Sequence, residues 1–182
     1  MKIRKFVLIP IFLLLLIVVA YMCCYPIRYE SVEVSHILKE NFGTDDTATA
    51  IIQLNNKDSY HYIESGDNIV IIKMQRGVFG RSKYNGLSYT DTNFVNGVIE
   101  NNGNKYLLVG GKNPNNLIAK ISFTLDNIPY EIDLANTGDS FFTYLQIDKK
   151  TVDDHIFLDN TILYNAFGED ITATLDTSSG GI

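Results

Sequence analysis

The chain has 182 residues, of which 46% are hydrophobic and 20% are charged, so it encodes a folded protein rather than a disordered one. Its 15 basic and 21 acidic residues give a formal net charge of −6, which excludes the basic surface that nucleic-acid binding requires. Beyond residue 5 the balance is 12 basic to 21 acidic residues, and such a body is expected to be repelled by an anionic membrane surface.

The first predicted element is an apolar run of 19 residues from Phe6 to Cys24, which follows the basic sequence MKIRK. As a helix this run is about 28 Å long and matches the thickness of a hydrocarbon core. The basic residues before it predict a cytoplasmic N-terminus and an extracytoplasmic C-terminal body. We therefore predict a transmembrane signal anchor over residues 1–24, with the lipid bilayer as the partner of residues 6–24.

Two other fates of this segment follow from its last residues. Val18 and Ala20 are small enough to permit cleavage before Tyr21, so secretion after cleavage near Ala20 is the alternative localisation. Lipidation requires a small residue directly before the modified cysteine, whereas Met22 precedes Cys23. Cys23 and Cys24 are the only cysteines, and adjacent cysteines do not form an ordinary structural disulfide.

Three further regions are predicted after the anchor. Residues 25–46 form a juxtamembrane segment with one short helix, for which Ser35 is the predicted N-cap and Gly43 the predicted end. Apolar and polar residues alternate with period two over 47–176, which is typical of strands and predicts an extracytoplasmic β domain. The final residues, 177–182, predict a flexible tail.

The clearest β unit is a predicted hairpin over 117–134 with a two-residue turn at Asp126-Asn127. This register pairs Phe123 with Tyr130 and aligns the apolar residues of both strands on one face. It also places Lys120 opposite Asp133. Pro129 lacks a backbone donor and predicts that the second strand lies at a sheet edge.

A second hairpin turns at Asn102-Gly103, a dipeptide typical of type I′ turns, and Asn85-Gly86 is predicted to form another turn. The further strand candidates are ATAIIQL, SYHYIES, NIVIIKMQ, FFTYLQI, HIFL, TILY and ITATL. The pattern predicts an all-β fold: an antiparallel sandwich or barrel-like domain of about ten short strands. A single transmembrane helix and one short helix precede it.

The sequence contains no assembled enzyme motif. His36, His61 and His155 lack the spacing of a zinc site. Gly138-Asp139-Ser140 matches the tripeptide of GDS-type lipase-like hydrolases, but it opens a predicted strand instead of a strand-to-helix turn. Those enzymes have an Asp three positions before the catalytic His, and Val152 holds that position before His155. We predict no catalytic residue, no cofactor and no metal site.

Three aromatic residues are the candidates for ligand contact: Tyr84, Tyr89 and Phe94, within the polar stretch SKYNGLSYTDTNF. Exposed aromatic rings can stack on a sugar or contact a protein partner. The alternative is that these side chains alternate into the core like other strand aromatics.

The layout resembles that of uncharacterised, signal-anchored extracytoplasmic proteins of Gram-positive bacteria, through the apolar run and the stretches NKYLLVGGKN, IAKISFTLDNIPYEIDL and ILYNAFGEDIT. The resemblance brings no catalytic residue to this chain. We predict a non-enzymatic, membrane-anchored binding or interaction module for an unknown protein or cell-wall ligand. Two alternatives stay open: a cell-envelope hydrolase or ligand-processing domain with dispersed site residues, and a surface-tethered immunity or inhibitor protein. A Ser–His contact in a cleft would favour the hydrolase.

Overall fold

A computed structural model describes residues 3–28, 30–44, 46, 48–90, 94–135, 137–152, 161–174 and 179–181. Helix α1 spans Ile3–Cys24 and helix α2 spans Glu30–Phe42. The strands are β1 (Ala50–Gln53), β2 (Asp58–Ser65), β3 (Asn68–Arg76), β4 (Ser82–Thr90), β5 (Phe94–Asn101), β6 (Asn104–Lys112), β7 (Lys120–Leu125), β8 (Ile128–Asp133), β9 (Ser140–Ile147), β10 (Thr161–Tyr164) and β11 (Ser179–Gly181).

Helix α1 exposes its apolar side chains, which are described from Ile9 onward. The large apolar residues between Ile9 and Met22 are 47–65% exposed. Pro10 lies inside the helix. Among the residues that the structure describes, no helix combines the length and the apolarity that crossing a membrane requires.

Helix α2 begins at Glu30, five residues before Ser35, so the predicted N-cap is wrong. The helix starts earlier because Val34, Ile37 and Leu38 recur at helical spacing and are all buried against the sheet below. Its end is confirmed: Gly43 has a φ of 69° and its amide donates to the Lys39 carbonyl at 3.0 Å.

The strands form three sheets. Sheet I has the order β1-β2-β3-β4, sheet II the order β11-β5-β6-β9, and sheet III the order β10-β7-β8. All neighbouring strands are antiparallel except β11, which runs parallel to β5. The prediction of a mostly-β fold with antiparallel strands is confirmed.

Buried side chains show that these elements stack as layers. Helix α2 packs on one face of sheet I through a cluster that includes Leu38, Ile63 and Ile72. The opposite face of sheet I meets sheet II through a cluster of Ile52, Tyr60, Tyr62, Ile69, Ile71, Val95 and Leu108. The other face of sheet II packs on sheet III through Phe94, Leu107, Val109, Ile118, Ile121, Phe123, Leu125, Ile132, Leu134, Phe141, Ile147 and Leu163. Sheet II is therefore covered on both faces, and its strand β6 carries the unbroken apolar run Leu107–Val109.

The β7–β8 hairpin has the predicted register. Phe123 pairs with Tyr130, and their rings stack with centroids 5.7 Å apart. Asp126 and Asn127 have φ values of 46° and 63°, as a primed two-residue turn requires. β8 is an edge strand, as Pro129 predicts. Lys120 lies opposite Asp133, but its ammonium group bonds the diagonal neighbour Glu131 at 3.0 Å.

Two predictions from turn and strand propensity are wrong. Asn85-Gly86 lies inside β4, because Lys73 pairs with Gly86 while the next residue, Met74, pairs with Tyr84, which makes Asn85 a β-bulge residue. ITATL contains a 3-10 turn over Thr172–Thr174 instead of a strand. The predicted strand HIFL lies outside the described residues; the other strand candidates are confirmed.

The 3-10 turn at Thr172 has a local cause. The Asp170 carboxylate accepts hydrogen bonds from the backbone amide and the hydroxyl of Thr172, at 2.9 and 2.6 Å. These bonds hold the pKa of the Asp170 carboxyl below its ordinary value. A side chain that bonds the backbone two residues ahead favours a turn over a continued strand.

Candidate functional site

The aromatic residues predicted to contact a ligand lie on different sheets. Tyr84, on β4 of sheet I, is 42% exposed, and partial burial raises the pKa of its phenol. Phe94 opens β5 of sheet II, is 6% exposed and packs against Phe141 with ring centroids 6.2 Å apart. Tyr89 pairs with Val70 in sheet I, and its side chain lies outside the described part of the molecule. Phe94 thus contributes to the core, and Tyr84 keeps an accessible ring.

His36 and Ser140 also lie on different elements. His36 lies on α2, and its Nδ1 is 3.6 Å from the Glu40 carboxylate one turn later. Ser140 opens β9 opposite Lys112. His155 lies outside the described residues.

A cleft of about 200 Å³ lies at the end of sheet I where β2 begins and β3 ends. Side chains of a strand alternate between its two faces. Tyr60 and Tyr62 face sheet II, so Ser59 and His61 lie on the opposite face, together with Ile63, which packs in the α2 cluster. Directly opposite them on β1 are Gln53 and Ile51. The cleft is lined by Ile51, Gln53, Asn56, Lys57, Asp58, Ser59, His61 and Arg76.

The loop that enters β2 is fixed by the side chain of Asn55. Its Oδ1 accepts from the backbone amides of Lys57 and Asp58, at 2.5 and 2.7 Å. Its Nδ2 donates to Asp58 Oδ2 at 3.3 Å and to the amide oxygen of Asn101 on β5. The Arg76 amide donates to the Lys57 carbonyl, which closes the loop against the end of β3. These bonds hold Lys57 and Asp58 in place on the cleft wall.

The second carboxylate oxygen of Asp58 is the unusual atom of this cleft. Oδ1 is buried and finds no hydrogen-bond donor among the described residues. A buried acceptor left without a donor costs about 1–3 kcal/mol, so it needs an explanation. Lys57 and Arg76 add positive charge to the same wall. The cleft wall therefore combines one carboxylate with cationic groups.

A second feature of the cleft is a contact between Ser59 and His61. Ser59 Oγ lies 3.1 Å from His61 Nε2, and His61 is 4% exposed. A serine hydroxyl bonded to an imidazole is the first element of a nucleophile–base pair. The same contact also satisfies a buried imidazole, which a purely structural histidine requires.

Ser59 and His61 both belong to the predicted strand SYHYIES, and no sequence motif singles out Asp58. Two local signals point to them. Period-two alternation places Ser59 and His61 on one face, and an Asn three residues before an Asp is typical of a side-chain-capped turn.

No family model, no curated protein and no solved structure matches this chain. Within the described ranges, no group of three or more His, Cys, Asp or Glu side chains is placed to hold a metal ion.

Proposed function

We propose that this protein is a membrane-anchored, extracytoplasmic binding module without enzymatic activity, and that its ligand occupies the cleft at the end of sheet I. The observation that carries the proposal is the grouping of the Asp58 carboxylate with Lys57 and Arg76 on the cleft wall. The anchor is supported by the sequence: residues 6–24 contain no charged side chain, and basic residues precede them. The N-terminus is then cytoplasmic and the β domain extracytoplasmic.

The cleft favours a small, polar ligand group. Its volume of about 200 Å³ is below the roughly 300–1,000 Å³ of sites for drug-sized ligands. A group the size of one amino acid fits such a space. An ammonium or hydroxyl donor would be attracted to the Asp58 carboxylate, and a carboxylate to the positive charge of Lys57 and Arg76. A free peptide carries an ammonium group at its N-terminal end and a carboxylate at its C-terminal end.

Asp58→Asn tests the proposed ligand site. The variant keeps the hydrogen bond from Asn55 and the shape of the side chain, but it replaces a charged acceptor. We expect the full-length chain in detergent to show amide chemical-shift changes at the cleft when titrated with a dipeptide that has free termini. We expect binding to weaken about 10-fold in Asp58→Asn, because a hydrogen bond to a charged group contributes about 1.5–3 kcal/mol.

The matched control is Asp67→Asn, at the opposite end of the β2–β3 hairpin, where the carboxylate is fully exposed. This variant should bind like the unmodified chain. Dipeptide binding that is equal in both variants, or shifts that avoid residues 56–61, would contradict the proposed site.

The Ser59–His61 contact favours one competing function, a cell-envelope hydrolase. A fluorophosphonate forms a stable bond with an activated serine and leaves an ordinary hydroxyl unmodified. We expect no adduct on the full-length chain by intact mass. An adduct that disappears in Ser59→Ala but persists in Ser140→Ala would reject the non-enzymatic proposal in favour of the hydrolase.

A further inference from the structure

The loop between β3 and β4 packs against the C-terminal end of helix α1. This loop, Gly77–Arg81, is called the 77–81 loop. The Tyr21 hydroxyl donates to the Val78 carbonyl, and the Tyr21 ring meets the edge of Phe79 with centroids 6.0 Å apart. A Cβ on Gly77 would lie 2.7 Å from the Tyr21 hydroxyl and 2.7 Å from the Tyr25 ring, so only glycine permits this approach.

Hydrogen bonds fix the segment after α1 to the same part of sheet I. The Arg81 guanidinium donates to the carbonyls of Tyr25 and Pro26 at 2.7 and 2.6 Å. Ile27 and Ser82 exchange backbone hydrogen bonds of 2.9 and 2.8 Å. The 77–81 loop is therefore held at the level where α1 ends.

The tip of this loop is apolar and faces outward. Val78 is 65% exposed and Phe79 is 89% exposed. Phe79 also has a φ of 60°, in the left-handed region that disfavours a bulky residue. A backbone strained in this way, with two adjacent apolar side chains outside the core, is typical of a contact surface.

The two segments that meet at this end carry basic side chains and no acidic ones. Four of the 12 basic residues beyond residue 5 lie in the segments 21–28 and 76–83, and none of the 21 acidic residues does. Lys83 lies over the Tyr25 ring at 5.4 Å from its centroid. The four basic residues are Arg28, Arg76, Arg81 and Lys83.

We propose that the 77–81 loop is a second membrane contact, in which Val78 and Phe79 enter the interface of an anionic outer leaflet beside Tyr21 and Tyr25. The inference rests on the proposed anchor, because α1 must lie in that bilayer. Aromatic side chains favour the headgroup level, and basic residues favour anionic lipid. The four basic residues of these two segments oppose, at this end, the repulsion expected from the net charge.

The absence of tryptophan from the sequence permits a direct test. Phe79→Trp introduces a single tryptophan at the loop tip. Phe167→Trp is the matched control, because Phe167 is 90% exposed on a turn that follows β10 of sheet III. Both full-length variants are reconstituted in vesicles of phosphatidylcholine and phosphatidylglycerol with brominated acyl chains. We expect brominated lipid to quench Phe79→Trp, with several-fold weaker quenching by aqueous iodide than in Phe167→Trp.

Each outcome separates the anchor from the loop contact. A full-length chain that does not float with the vesicles overturns both proposals. A chain that floats, with Phe79→Trp as accessible to iodide as Phe167→Trp, overturns the loop contact alone. If Phe79→Trp is equally protected from iodide in vesicles of pure phosphatidylcholine, the loop does not require anionic lipid, and that part of the proposal is rejected.

Discussion

Asn113→Ala is expected to lower the free energy of unfolding by about 3 kcal/mol, because it leaves two buried backbone groups without partners. Asn113 is fully buried between β6 and β7. Its Nδ2 donates to the Ile118 carbonyl at 3.0 Å, and its Oδ1 accepts from the Ile118 amide at 2.7 Å. Ile118 is itself 4% exposed, so water cannot easily replace these bonds. The side chain thereby secures the crossing from sheet II to sheet III.

The measurement is chemical denaturation of the full-length chain in detergent, followed by circular dichroism. Asn113→Asp should be at least as unstable as Asn113→Ala, because it loses the donor and buries a charge. Asn85→Ala is the control, since Asn85 is exposed at the bulge of β4, and it should change stability by less than about 0.5 kcal/mol. An Asn113→Ala variant as stable as this control would contradict the structural role of the Asn113 amide.

Gly110→Ala is expected to destabilise the chain by about 2 kcal/mol through overpacking between sheets I and II. A Cβ at this position would lie 2.9 Å from the Tyr62 ring and 3.0 Å from the Phe142 ring. The two rings stack with centroids 5.2 Å apart, and Tyr62 is fully buried. Burial raises the pKa of the Tyr62 phenol, which stays protonated and donates to Glu64 at 3.1 Å. That bond restrains the ring, so it cannot readily move aside.

Gly86→Ala provides a matched control for Gly110→Ala. Gly86 also lies in a strand, on β4, and a Cβ there meets no atom within 4 Å. We expect this variant to be close to neutral under the same denaturation conditions. Adding Phe142→Leu to Gly110→Ala should relieve part of the crowding and give a coupling energy of about 1 kcal/mol in a double-mutant cycle. Strict additivity would indicate that the rings do not limit the space at Gly110.

The contacts of the candidate site could be predicted only in part from the sequence. His61 lies in a predicted strand, and its contact with Ser59 joins alternate residues of that strand, but the sequence does not show that His61 is buried. The Asp58 side chain is held in place by Asn55, which bonds both Asp58 and Asn101 of sheet II. Polar neighbours in the sequence make Tyr84, Tyr89 and Phe94 candidates for ligand contact, but Phe94 is buried because sheet II has a second neighbour.

By itself, the sequence determined the hairpins of this protein, because residues close in the chain decide them. Asp126-Asn127 and Asn102-Gly103 adopt the positive φ values of two-residue turns, and their registers follow from alternation of apolar residues. The end of α2 at Gly43 has the same local origin. Tertiary structure alone decided that the strands divide into three stacked sheets, that Asn85-Gly86 continues a strand, and that α2 begins at Glu30. These features depend on which apolar faces meet across long separations in the chain, and burial there outweighs local turn and cap preferences.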